Sequence, residues 1–305
     1  MQKYVYVKVN DRRLRLSNLD KLIWPDEGIT KAELIEYYYK ISAYILKYLK
    51  DRPLTLRRCP DGIKGEIFIQ KQKPEWTPDW VKTFPYFSKT LGKVVEYIVC
   101  NDLPTLIWLA NLANVEFNPT LSRIDDFEHP DFIVFDLDPF EPANFEDAKD
   151  IAFIIRDGLK SLKIKSHVKT SGGTGLQIFV PIERKYTFEQ TRNFVIKIAK
   201  MVEEVYPKAL SAFLPYSERK GRVFIDPLQN SPTKTIIAAY SLKPLPKAPV
   251  STPLEWKELD KVTDPKEFNI NTIFERLKKK GDIFDKVLKE KQNLDKPFKE
   301  LGIKI

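Results

Sequence analysis

The sequence predicts an α+β fold, and three observations predict it. From residue 131 to 226 strand-like and helix-like periodicities follow one another in the order β-α-β-β-α-β. Ahead of that stretch, short alternating segments and a long amphipathic helix are mixed without any internal repeat. The chain has 305 residues, 43% of them hydrophobic and 30% charged, enough to bury a large core in one big domain or two modest ones.

In chain order, Tyr4 to Val9 alternates as a strand, and Leu14 to Leu16 adds a second. A helix begins near Thr30. Thr30 and Glu33 make a capping box, and Leu34, Ile35, Tyr38, Ile41, Ile45 and Leu49 follow at helical spacing. Residues 53 to 58 and 65 to 71 read as a hairpin around Pro60-Asp61-Gly62, and Val94 to Cys100 as a further strand. Asp102 caps a very apolar helix running from Pro104 to about Asn114. The regular stretch then gives strand 132–138, helix 145–161, strands 165–170 and 176–181, helix 188–205 with Thr187 and Gln190 at its cap, and strand 222–226. This is the split β-α-β, or ferredoxin-like, unit, which covers one sheet face with helices, leaves the other free for function and usually sets its fourth strand beside its first. A strand at 235–240 and a helix at 271–279 complete the pattern. The expected organisation is a single domain over 1–305: an N-terminal subdomain to about residue 125, a catalytic unit over about 126–245, and a C-terminal basic helical segment over about 246–305.

A formal charge of +9 favours an anionic partner, nucleic acid before a membrane surface, although a Lys-rich solvated surface explains the same number. Cys59, Cys100, His129 and His167 lack the spacing of a zinc site. No run approaches the ~18 apolar residues of a membrane helix, the first residues lack the apolar core of a signal peptide, and two cysteines give no disulfide framework. A cytoplasmic protein without a membrane partner is the expectation.

The stretch Asp131-Phe132-Ile133-Val134-Phe135-Asp136-Leu137-Asp138-Pro139 is the most informative. It reads as a buried strand closed by Pro139, and period-two alternation sends Asp136 and Asp138 to one face. Two adjacent carboxylates resist joint ionisation unless a cation lies between them, so a divalent metal competes with the plainer reading of turn and cap residues. Asp226, at the end of the fourth strand, becomes a third candidate because that strand usually lies beside the first. The hairpin Lys169-Thr170-Ser171-Gly172-Gly173-Thr174-Gly175-Leu176-Gln177 has glycines and hydroxyls suited to an anion such as phosphate, or to a plain Gly-rich turn. Gln229, Lys234 and Lys243 supply polar and cationic groups suited to a triphosphate or to a solvated loop. Together these groups suit two-metal phosphoryl or nucleotidyl transfer. Phe135-Asp136-Leu137-Asp138 also resembles the nucleophile motif of haloacid dehalogenase phosphatases, but here it lies mid-chain and continues Pro139-Phe140 instead of Gly-Thr. A basic DNA-end-binding module with an inert acidic site is the non-enzymatic alternative.

These residues resemble the polymerase domain of bacterial DNA ligase D, within the archaeo-eukaryotic primase superfamily. The resemblance covers about residues 12 to 280. It is carried by Leu16-Ser17-Asn18-Leu19-Asp20-Lys21, Asp102-Leu103-Pro104-Thr105-Leu106-Ile107-Trp108-Leu109-Ala110-Asn111, Val134 to Pro139, Lys169 to Gly173, Phe224-Ile225-Asp226 and Leu228-Gln229-Asn230. It implies a primase-polymerase fold in which Asp136, Asp138 and Asp226 bind two catalytic ions, Mn²⁺ or Mg²⁺. Ser171, Gly172, Thr174, Gln177, Gln229, Lys234 and Lys243 would form the nucleotide site. Asn18, Lys21 and Lys31 match a pocket for a 5′ phosphate on the downstream DNA strand, where Lys supplies a charge-assisted contact. Phe68 and Ile69 match an aromatic pair packed on the template base, with Lys71 just beyond, although Ile69 has no ring to stack.

Four positions depart from the family's common pattern: Asn118 and Gln177 stand where it has His, Thr174 where it has Lys, and Lys243 where it has Arg. Gln177 still donates an amide hydrogen bond but carries no charge, and Lys243 keeps the charge without the bidentate fork. The implied activity is that of a stand-alone polymerase adding NTP or dNTP, ribonucleotides preferentially, to 5′-phosphorylated DNA ends or gaps in non-homologous end joining, with Ku and a separate DNA ligase as partners. A dedicated primase making primers de novo is the alternative within the family.

Overall fold

The computed structural model describes residues 4–88 and 92–304. Strand β1 (Tyr4–Val9) turns at Asn10, which has a left-handed φ of 51°, and pairs antiparallel with β2 (Arg12–Ser17). The short hairpin β3 (Leu22–Trp24) and β4 (Ile29–Thr30) delivers the chain into α1 (Lys31–Leu49). The expected capping box is present: the Thr30 hydroxyl accepts from the Glu33 backbone, and Glu33 accepts in return from the Thr30 N–H at 2.7 Å. Leu34, Tyr38, Ile41, Ile45 and Leu49 line the buried stripe of this helix.

Next come β5 (Leu54–Arg58), β6 (Phe68–Gln70), β7 (Thr83–Ser88), β8 (Lys93–Ile98), α2 (Leu103–Asn111) and β9 (Asn114–Pro119). β5 is flanked by β6 and β9, and β7 pairs with β8. Asp102 caps α2 as its residue type predicts, accepting from the Thr105 backbone at 2.8 Å. The helix is shorter than its apolar run. It stops at Asn111, the chain turns through Ala113 at φ 57°, and Asn114 opens β9, an alternating strand with Val115 and Phe117 on one face that sequence reading passed over. β7 is also unannounced, since it contains Pro85 and is tolerated in a two-stranded ladder. Residues 235–240 are not the strand expected. They run extended past β9, with Ile236 and Ala238 donating to Pro119 and Phe117, until Tyr240 turns at φ 68°.

The second half holds β10 (Phe132–Pro139), α3 (Phe145–Ser161), β11 (His167–Thr170), β12 (Leu176–Pro181), α4 (Phe188–Val205), β13 (Ala209–Leu210), β14 (Val223–Asp226) and β15 (Pro253–Leu254). They form one six-stranded sheet in the order β13-β14-β10-β12-β11-β15. Its four central strands are mutually antiparallel, with the fourth of the unit beside the first, as the β-α-β-β-α-β pattern requires. Alternation along β10 then divides two cores. Ile133, Phe135 and Leu137 pack with α3 and α4, whereas Phe132 and Val134 pack with α1, α2 and the N-terminal strands. The second sheet face is therefore not free along its length. The N-terminal half covers it as far as Val134, and Asp136 and Asp138 stand where that cover ends. Arg52 ties the halves together, donating to both Asp131 oxygens, at 3.1 and 2.6 Å, and to the Thr120 carbonyl.

The C-terminal helices α5 (Trp256–Leu259), α6 (Ile273–Lys280), α7 (Lys286–Lys289) and α8 (Asp295–Glu300) are split between the cores. Leu277 and Val287 join the N-terminal one, and Leu259 and Phe298 the helical one. No helix among the described residues is long and apolar enough to cross a membrane. Cys59 and Cys100 are both free and buried.

Candidate active site and nucleic-acid interface

Antiparallel register sets the candidate residues side by side. Asp136 pairs with Asp226 across β10 and β14 and with Gln177 across β10 and β12, and Gln177 pairs with Lys169 across β12 and β11. Directly opposed residues share a face, so one row across four strands reads carboxylate, carboxylate, amide, ammonium. The amide is oriented at both ends. Lys169 Nζ, which can only donate, bonds Gln177 Oε1, so Gln177 Nε2 is left facing Asp136 Oδ1 and donates to it at 2.9 Å. Lys169 is fully buried and also donates to Ser251 Oγ. Sequence reading passed over Lys169 as a candidate; its parity with Gln177 in a two-strand hairpin was the available signal.

Burial first, and Asp138 second, push the Asp136 carboxyl up to about 8, while the Gln177 amide and Lys243 oppose them. Burial and Asp226 likewise raise Asp138 against Lys243 and Arg219, and burial raises Asp226 against the Leu228 N–H, Lys234 and Arg219. Among the described residues, no three Asp, Glu, His or Cys side chains stand close enough to form a closed ligand set. The donor chemistry nevertheless fits a divalent ion. Adjacent oxygen donors on one sheet face, whose joint ionisation is costly, are relieved by such a charge between them.

The Gly-rich hairpin lies against these carboxylates. Ser171 Oγ accepts from the backbone N–H groups of Gly173 and Gly175, each at 3.2 Å, and Lys243 Nζ donates to the Ser171 carbonyl at 3.4 Å. Gly172 is left-handed at φ 80°, and a Cβ there would stand 3.2 Å from that of Lys243. Gly175 is needed for space: a Cβ would fall 2.5 Å from the Leu137 carbonyl oxygen and 3.3 Å from both Asp138 Oδ1 and Ser171 Oγ. Thr174 is exposed on the rim of a cleft of about 540 Å³ that also includes Pro139, Phe140, Tyr216 and Lys220. Arg219, which sequence reading also missed, is held 4.2 Å over the Phe224 ring and bears on both Asp138 and Asp226.

Past Asp226 the chain makes a 3₁₀ turn over Pro227–Gln229. Gln229 Oε1 is buried there without a hydrogen-bond partner among the described residues. Asn230 is structural: its side chain bonds both the N–H and the C=O of Val134, at 3.0 and 2.8 Å, and fixes the turn to β10. Lys234 is exposed. Lys71 reaches from the β5–β6 hairpin to the Thr233 carbonyl at 3.3 Å, so the two lysines come together across the loop. Asn118 is buried on β9 and donates to the Thr55 carbonyl.

Asn18, Lys21 and Lys31 also converge. Asn18 takes a left-handed φ of 54°, its carbonyl accepts from the Lys21 N–H, and the Lys21 carbonyl accepts from the Lys31 N–H. Lys31 Nζ donates to the Ser17 carbonyl at 2.6 Å, while Lys21 Nζ pairs with the exposed Asp61. Burial, then Lys21 and Arg58, push the Lys31 ammonium down to about 8. Three cations crowded this way favour an anion. Arg58 continues into a cleft of about 600 Å³ lined by Phe68, Ile69, Lys71 and Trp76, where Phe68 and Ile69 are exposed.

Comparison with known proteins shows the family. The family model of the LigD primase-polymerase domain matches residues 30–284. The Bifunctional non-homologous end joining protein LigD of Bacillus subtilis is 35% identical over 270 residues, 88% of this chain and 43% of that protein. The multifunctional LigD of Mycolicibacterium smegmatis is 31% identical over 275 residues, 89% of this chain and 35% of that protein. The chain thus spans less than half the length of these relatives. The solved polymerase domain of Mycobacterium tuberculosis ligase D, in complex with DNA, superimposes with a TM-score of 0.83 at 26% identity, covering 92% of this chain and 99% of that one. The chain belongs to the LigD primase-polymerase domain family, a family of nucleotidyltransferase enzymes.

Proposed function

We propose that this protein adds nucleotides, ribonucleotides preferentially, to 5′-phosphorylated DNA ends or gaps during non-homologous end joining. The reading rests above all on the register that sets Asp136 beside Asp226, with the Gln177 amide bonded to the first carboxylate. Asp136, Asp138 and Asp226 would hold two ions, Mn²⁺ or Mg²⁺. Such ions lower the pKa of an attacking hydroxyl and offset charge on the leaving pyrophosphate. The chain's own residues do the rest. Lys243 and Lys234 bring positive charge to the triphosphate side, the Ser171 hydroxyl is left free to donate once its oxygen has accepted two N–H groups, and Gln229 Oε1 offers an unused acceptor. Asn18, Lys21 and Lys31 receive the 5′ phosphate of the downstream strand. Phe68, Ile69 and Lys71 meet the template, with Phe68 supplying the ring. Ku and a DNA ligase activity, in a cytoplasmic setting, complete the repair reading.

The test is extension of a gapped duplex bearing a 5′ phosphate, with NTP or dNTP and Mn²⁺, by wild type and Asp136→Ala. Wild type is expected to extend with a preference for NTP, and the variant not at all. Absence of extension by wild type with either nucleotide would overturn the reading in favour of an inert end-binding module.

A further inference from the structure

The β1–β2 hairpin carries a face that none of the roles above uses. Register pairs Tyr4 with Ser17, Tyr6 with Arg15 and Lys8 with Arg13, so these six residues share the outward side, while Val9, Leu14 and Leu16 turn into the core. Tyr4 and Tyr6 are 50% and 52% exposed. The rings meet edge to face at 5.6 Å. Each ring carries a cation on one face: the Arg15 guanidinium lies 4.4 Å over Tyr4 and that of Arg13 lies 4.1 Å over Tyr6. Among the described residues neither arginine has a carboxylate partner, and the strands contribute no acid to this face; Asp11 lies in the turn.

We infer that this hairpin face binds the sugar-phosphate backbone of the duplex downstream of the 5′ phosphate. The inference rests on the DNA-end reading and extends it. Held flat against the rings, the two guanidinium groups present fixed in-plane N–H donors, which suit phosphate oxygens. Arg13 and Arg15, two residues apart on one strand, are separated by about 7 Å. Two guanidinium groups so spaced can engage separate phosphates of one strand, whose charges recur every ~3.4 Å along the helix axis and lie farther apart along the winding backbone. The face is also continuous with the phosphate pocket: Ser17 closes β2, its carbonyl holds Lys31, and Asn18 follows directly.

The experiment compares gapped duplexes that share the 5′ phosphate but carry a downstream arm of half a helical turn or of two turns. Binding is measured against salt for wild type and for Arg13→Ala with Arg15→Ala. Wild type should bind the long arm more tightly, and the double variant should lose that advantage, its log-affinity against log-salt slope falling by about 2 on the long arm only. Tyr4→Leu with Tyr6→Leu keeps apolar bulk and both charges but releases the guanidinium groups, and should lie between the two. Thermal melting establishes that each variant is folded. An unchanged long-arm slope in the double variant, with the 5′-phosphate preference and extension intact in wild type, would overturn the hairpin proposal and leave the DNA-end reading standing. So would a wild-type preference for a single-stranded arm, or arginine-dependent binding to phosphatidylserine vesicles in place of DNA. Absence of any DNA binding by wild type would overturn both.

Discussion

At the scale of single residues the proposed active site is a set of charges placed where they are costly. Asp136 titrates far above an ordinary carboxyl, so between about pH 4 and 8 the unfolded chain releases a proton that the folded chain retains. Stability of the ion-free protein therefore falls as pH rises through that window. Asp136→Asn has no such proton and should melt higher than wild type at pH 8, but only slightly differently near pH 4; melts in chelator check this, and an equal gap at both pH values would contradict it. Lys31 has the opposite disposition. Its ammonium is pushed down to about 8, so the free pocket loses charge as pH rises past that point, and the preference for a 5′-phosphorylated end should weaken there. Binding of phosphorylated and unphosphorylated ends on either side of pH 8 measures it. Lys31→Met should show a smaller preference without that pH dependence.

At the scale of elements, the geometry of the proposed site depends on how closely β10, β12 and the turn after β14 approach one another. Gly175 sets the first approach. Gly175→Ala drives a Cβ against the rigid Leu137 carbonyl, and the strain should cost about 1–3 kcal/mol in urea unfolding together with a loss of extension. A variant as stable as wild type would show that the strands can separate freely. Asn230 sets the second approach by standing in as a strand partner for Val134. Asn230→Ala leaves two buried backbone groups unpaired, and about 1–3 kcal/mol of destabilisation is expected for each group not rescued by water. The capping box at Thr30 belongs to the same scale, since it fixes the helix start from which Lys31 projects.

At the scale of the whole molecule, one sheet is packed on both faces, and the site lies where the second packing stops. The buried Arg52–Asp131 pair joins the two sides of that seam, with Arg123 also donating to Asp131. Asp131→Asn would strand Arg52, which is 1% exposed, and should cost about 3–5 kcal/mol by urea unfolding; a change below ~1 kcal/mol would mean that the guanidinium finds another partner.

Much of this was legible in one dimension. Period-two alternation gave Asp136 and Asp138 a common face, capping residues located α1, α2 and α4, and the β-α-β-β-α-β order brought Asp226 to the edge of β10. Those features are local, or follow from connection rules, so the sequence by itself determined them. It did not reveal β9, because Asn114, Glu116 and Asn118 read as solvent-facing or loop residues, and only the packing of β9 beside β5 buries both of its faces. Nor did it single out Lys169, Gly175, Asn230 or Arg219. Their roles are relations between segments: an ammonium that orients an amide on the next strand, a missing Cβ beneath a carbonyl, an amide completing a backbone ladder, a guanidinium above a ring. Only the tertiary structure decided these, because burial, register and close approach are properties of pairs of segments and no single segment encodes them.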